Sequence, residues 1–135
     1  MVVGIGFDVM DLSRMRTAVR RSGERFLRRV FTPAERAYSE SYPDAIPHLA
    51  ARFAAKEALF KAIGTGWSRG VAWNEAEVRL DSAGRPEFAL SGRTAELVQA
   101  AGARRVHLSL THIDQLAGAM VVIEGAEPRE AGGSP

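Results

Sequence analysis

The chain has 135 residues, 46% of them hydrophobic and 25% charged, the length and composition of one globular domain with its own core. It contains no cysteine, which excludes disulfides, zinc–thiolate sites and cysteine nucleophiles. The formal net charge is only +2, yet seven arginines and a single acid, Glu24, lie between Arg14 and Arg29. Such a segment attracts a polyanionic partner without saying which.

In chain order, residues 2–8 read as a buried strand whose end carries Asp8. Its apolar run is broken by glycines and lacks the basic leader of a signal peptide. No stretch approaches the ~20 apolar residues of a membrane span, so a soluble cytoplasmic protein without a membrane partner is expected. Residues 11–29 read as a helix interrupted near Ser22-Gly23, with Leu12, Met15, Val19, Phe26, Leu27 and Val30 at roughly helical spacing. Thr32-Pro33-Ala34-Glu35 begins a second helix: a capping threonine, proline in the first turn, glutamate three residues on. A loop with two prolines, Ser41–Pro47, precedes a third helix from about Leu49 to Ile63, which stops at Gly64-Thr65-Gly66. Short strands at Glu77–Leu80 and Glu87–Leu90 flank a turn, and Thr94–Ala101 reads as a small helix ended by Gly102. Arg105–Thr111 alternates, with Val106, Leu108 and Leu110 on one face and His107, Ser109 and Thr111 on the other. Leu116–Glu124 is the last strand, and 125–135 is expected to be a disordered tail. The expected architecture is one α+β domain over residues 1–124, its helices packed on a small, mostly antiparallel sheet.

The helix LAARFAAKEALFKAI carries the chemistry. Leu49, Phe53, Leu59, Phe60 and Ile63 gather on one broad side, while Ala51, Ala55, Ala58 and Ala62 form a side small enough for close approach by a neighbour. No clean polar face remains, so burial is expected. Yet the helix holds Arg52, Lys56, Glu57 and Lys61. Glu57 and Lys61, four apart, share a side, and two readings stand open. They form an ordinary helical ion pair worth a few tenths of a kcal/mol, or they belong to a sheltered metal and phosphate site. A hard cation such as Mg2+ takes one or two carboxylates and completes its shell with water and phosphate oxygens. Asp8 offers a second carboxylate, lysine and arginine would neutralise phosphate, and Gly64–Gly66 would leave backbone amides free for a ligand.

Taken in order, Gly4-Ile-Gly6-Phe-Asp8, Phe31-Thr-Pro-Ala-Glu35, Ala51-Arg-Phe-Ala-Ala-Lys-Glu-Ala58, Lys61-Ala-Ile-Gly-Thr-Gly66 and Leu108-Ser-Leu-Thr-His112 resemble the phosphopantetheinyl transferases of the holo-acyl-carrier-protein synthase type. The resemblance spans about residues 2–124. It implies that Asp8 and Glu57 hold magnesium, that the metal binds the pyrophosphate of coenzyme A, and that Lys61 acts beside them in transfer to a carrier serine. It implies further that Arg52, Lys56, Lys61, Gly64, Thr65, Gly66 and His112 contact coenzyme A. Arg14, Arg25 and Arg29 fall where an acidic acyl carrier protein would dock, and a homotrimer with active sites at subunit boundaries is expected. The loop at 40–48 and the tail match nothing in that pattern.

The remaining candidates read as structural. His48, between Pro47 and Leu49, is expected to be a structural residue, His107 a surface residue, and Trp67 and Trp73 packing residues. A nucleic-acid-binding module would use the same arginines, but the chain has few aromatics and no recognisable RNA or DNA motif, so no nucleic-acid partner is expected. A non-catalytic coenzyme A sensor would be expected to lack one of the two carboxylates, and both are present.

Overall fold

Ten residues of alternating exposure, Val2–Asp11, form the first strand, β1, in the computed structural model, which describes residues 1–127. The chain continues through helices α1 (Leu12–Val30), α2 (Pro33–Glu40) and α3 (Ile46–Ala62). A 3-10 turn at Trp73–Glu75 leads into the hairpin β2 (Ala76–Leu80) and β3 (Pro86–Leu90), followed by α4 (Gly92–Ala100), β4 (Ala103–His112) and β5 (Leu116–Gly125). β1, β5 and β4 make an antiparallel sheet in that order, and β2 and β3 make a separate two-stranded sheet. The α+β expectation holds.

Helix α3 is the centre of the core. Ala50, Ala54, Ala55, Ala58, Leu59 and Phe60 are almost wholly buried, and β5 brings Ala117, Ala119, Val121 and Ile123 into the same core. The alanine side of α3 allows the close approach that its composition predicts. A Cβ added at Gly6 would stand 1.8 Å from the Ala58 carbonyl oxygen, and one at Gly4 would stand 2.3 Å from that of Ala62. Glycine at these two positions lets β1 lie directly on the helix backbone.

Several boundaries differ from the sequence expectation, each for a local reason. β1 runs three residues past Asp8 because β5 keeps pairing with it as far as Asp11↔Leu116. Asp8 is therefore an interior strand residue, and Asp11 ends the strand and caps α1 through the amides of Ser13 and Arg14. The break in α1 falls at Gly23, in a left-handed conformation with φ of 49°. α3 starts at Ile46, inside the expected loop; Pro47 sits in the first turn, where its missing N–H costs nothing. α4 starts at Gly92, and the carboxylate of Glu75 accepts the amides of Arg93 and Thr94 where no side chain of the helix's own cap does. The Thr32 capping box is formed as expected. Most of the expected tail lies outside the described residues; Gly125 belongs to β5.

Candidate active site

The alternation of β1 sends Asp8 inward onto α3, and Glu57 and Lys61 lie one turn apart on that helix. Lys61 Nζ donates to Asp8 Oδ1 at 2.7 Å and to the Phe7 carbonyl at 3.2 Å. Asp8 is 8% exposed, and its second oxygen, Oδ2, is buried with no hydrogen-bond partner. Glu57 stands against Asp8. Burial pushes its carboxyl up to about 7, the contact and charge of Asp8 add to this, and Lys61 and Arg14 oppose it. The Asp8 contact raises the Lys61 ammonium above its ordinary value. Lys61 thus pairs with Asp8, and Glu57 has no ion-pair partner among the described residues. The ordinary helical-pair reading of Glu57 and Lys61 is overturned.

Two basic residues of the expected ligand set lie elsewhere. Lys56 is fully buried and donates to Glu35 Oε1 at 2.9 Å, the Trp73 carbonyl at 2.8 Å and the Ala76 carbonyl at 2.9 Å. Its three N–H groups are committed, so it has none for a phosphate, and the expectation of a contact with coenzyme A is corrected. Burial lowers its ammonium from the ordinary value, with Glu35 pulling the other way. Glu35, which the sequence revealed only as a capping residue, also accepts the amides of Thr32 and Val78 and ties α2, α3 and β2 together.

Arg52 lies on a separate cavity that Asp8, Glu57 and Lys61 do not line. It is 3% exposed, it donates to the His48 carbonyl, and its guanidinium carbon sits 4.2 Å from the centre of the Tyr38 ring. Its Nε is buried without a partner, and burial lowers its pKa from the ordinary value. It lines a cavity of about 620 Å³ with Tyr38, Tyr42, His48 and His112. His112, the last residue of β4, faces His48 edge-on with ring centres 5.5 Å apart, and His48 stacks on Tyr42 at 3.8 Å. His48 is therefore a cavity residue. The signal available was its spacing of four from Arg52 in what proves to be one helix. Burial, then His112 and Arg52, hold its imidazole below the ordinary value.

The loop after α3 also corrects an expectation. The amides of Gly64, Thr65 and Gly66 all donate to the last carbonyls of the helix, those of Lys61 and Phe60. Those carbonyls need donors, so the loop is a helix stop with no free amide for a ligand. Gly64 and Gly66 supply the positive φ it requires, 76° and 54°. Trp73 packs as expected, stacked on Phe53 at 4.9 Å. Trp67 lies against Trp73 with ring centres 5.6 Å apart but stays 70% exposed. His107 is a surface residue bonded to Glu124 at 3.0 Å, as expected. Arg14, Arg25 and Arg29 are exposed along α1.

A buried carboxylate with a free oxygen, a second carboxyl and a lysine suit a polyanionic substrate, and so, separately, does a cavity holding a buried arginine and two histidines. A sequence profile described as the 4'-phosphopantetheinyl transferase superfamily matches residues 4–115. The chain belongs to that family. Among its phosphopantetheinyl transferase relatives is a holo-[acyl-carrier-protein] synthase of Koribacter versatilis, 45% identical and aligned over 92% of this chain and 99% of the other. The holo-[acyl-carrier-protein] synthase structure from Neisseria meningitidis superposes with a TM-score of 0.84 at 34% identity, covering 92% of this chain and 99% of that one. The Bacillus anthracis synthase, solved in complex with CoA (3',5'-ADP), superposes at 0.77 with 34% identity over 93% and 99%. The protein is accordingly a phosphopantetheinyl transferase of the holo-[acyl-carrier-protein] synthase type.

Proposed function

We propose that this enzyme moves the phosphopantetheine arm of coenzyme A onto a serine of an acidic apo acyl carrier protein, releasing adenosine 3',5'-bisphosphate, with magnesium held by Asp8 and Glu57. The observation that carries this reading is the cluster of Asp8, Glu57 and Lys61, in which Asp8 Oδ2 is buried with no partner. An orphaned carboxylate oxygen beside a second carboxyl fits a cation that takes one or two carboxylates and leaves its other positions to water and phosphate. When bound, magnesium supplies charge for the pyrophosphate and its growing leaving-group charge.

This chain's own residues would do the rest by positioning and charge. Lys61, already oriented by Asp8 and the Phe7 carbonyl, would stabilise the same phosphate oxygens. Arg52 and His112 would bind the nucleotide end, the unpartnered Nε of Arg52 offering a buried donor to an anion. The carrier's serine oxygen attacks the phosphorus bearing the pantetheine arm, the bond to the bridging oxygen breaks, and the serine proton passes to Glu57 or to water. The Gly64–Gly66 turn would shape the site without donating to it. Arg14, Arg25 and Arg29 would meet the carrier's acidic surface.

The trimer belongs to the same reading. The outer face of the β1–β5–β4 sheet exposes Val3, Ile5, Phe7, Val9 and Met120, side chains 39% to 65% exposed. An apolar patch of this kind marks an interaction surface, and further copies of this chain are its occupants here. Calorimetric titration of coenzyme A tests the site: Arg52→Ala and His112→Ala should each weaken binding about tenfold with or without magnesium. Asp8→Ala should remove the increment that magnesium adds. A magnesium increment that survives Asp8→Ala would refute the metal assignment.

A further inference from the structure

The segment between α2 and α3 is fastened to the basic helix. Arg16 donates through both terminal nitrogens to the two carboxylate oxygens of Asp44, so the pair is bidentate. Asp44 Oδ1 also accepts the Ile46 amide at 3.1 Å, the first residue of α3, whose formal cap, Ala45, offers no side chain. Of the seven α1 arginines, Arg16 alone forms an ion pair among the described residues. The segment so held carries Tyr42, and the α3 turn it caps carries His48. These two rings stack and form one wall of the Arg52–His112 cavity. Tyr42 is also tied to α2: its hydroxyl lies 3.1 Å from that of Tyr38, the two rings pack edge-on, and its amide donates to the Ser39 carbonyl.

We infer that Asp44 is a positioning residue for substrate binding: bonded to Arg16, it tethers the Tyr42–His48 wall of the nucleotide cavity to the helix that meets the carrier. The inference rests on the proposed reading of that cavity as the coenzyme A pocket. The tether is half-exposed, so it acts as a modest restraint. Its loss lets the wall move and weakens binding of the ligand that the wall contacts. It leaves the Asp8–Glu57–Lys61 cluster in place, because those residues lie on β1 and the later turns of α3, away from the segment.

The test is coenzyme A affinity by calorimetry, together with KM and kcat, for Arg16→Ala, Asp44→Asn and the double variant. Asparagine keeps an oxygen for the Ile46 amide but gives up the charge that Arg16 grips, so the helix cap survives in every variant. Each single variant should weaken coenzyme A about three- to fivefold, with kcat within twofold of the parent and the melting temperature nearly unchanged. The double variant should be no weaker than either single, because both remove one interaction. Affinities within experimental error of the parent, or single losses that add in the double, would overturn the inference while Arg52→Ala still weakens binding. If Arg52→Ala also leaves coenzyme A binding unchanged, the pocket reading fails, and the tether inference with it.

Discussion

Asp8 and Glu57 illustrate how one site can be unfavourable for the fold and suited to a ligand. The folded protein holds the Glu57 carboxyl near 7, above its ordinary 4.5, so folding favours its protonated form. The sign follows: this contribution is present below pH 4.5 and is lost as pH rises through about 7. At pH 8, with EDTA present, Glu57→Gln should therefore melt about 2–4 °C higher than the parent, and the difference should disappear near pH 5. Magnesium should raise the melting temperature of the parent and leave that of the variant unchanged. A variant that melts lower than the parent at pH 8 would contradict this account. Lys56, the adjacent residue, has the opposite character. It lies about 140° around the helix from Lys61, so two lysines flanking one glutamate face different surroundings. Packing decided between them: Lys56 meets Glu35 and two carbonyls in the interior, while Lys61 meets Asp8.

At the scale of elements, the site depends on how closely β1 lies against α3. Gly6 stands two residues from Asp8, and any side chain there meets the backbone of Ala58. Gly6→Ala should force strand and helix apart, costing ~3 kcal/mol in urea unfolding, and the magnesium increment in coenzyme A binding should go with it. Unchanged stability would mean that the contact is not a constraint. Much of this packing was legible in the sequence. The alanines of α3 announced a close neighbour, the absence of a polar face announced burial, and Thr32–Glu35 announced a capping box. Less legible were features that depend on partners distant in sequence. The length of β1 depended on β5, and the N-terminal start of α3 on Asp44 as well as Pro47. The amides of Gly64–Gly66 could equally have met a ligand or the helix end, and only the fold shows that they close the helix. Glu35 looked like a local cap because its longer-range partners, Lys56 and Val78, are 21 and 43 residues away.

For the whole molecule, two surfaces with different chemistry remain exposed. The arginine face of α1 suits an acidic partner, and the alternate residues of β1 with Met120 suit an apolar one. Strand periodicity explains the second: with Gly4, Gly6, Asp8 and Met10 turned toward the helix, Val3, Ile5, Phe7 and Val9 point outward. If copies of the chain assemble through this face, Ile5→Lys with Phe7→Glu should convert a trimer to a species of roughly one third its mass in light scattering. A parent that is already monomeric would contradict the assembly. The direct measurement of the reaction is mass spectrometry of an apo acyl carrier protein incubated with this enzyme, coenzyme A and magnesium. The expected result is a gain of one phosphopantetheine on the carrier serine, abolished by EDTA and by Asp8→Ala. Undiminished transfer in EDTA or by the Asp8→Ala variant, or no transfer to several carriers despite tight coenzyme A binding, would contradict it.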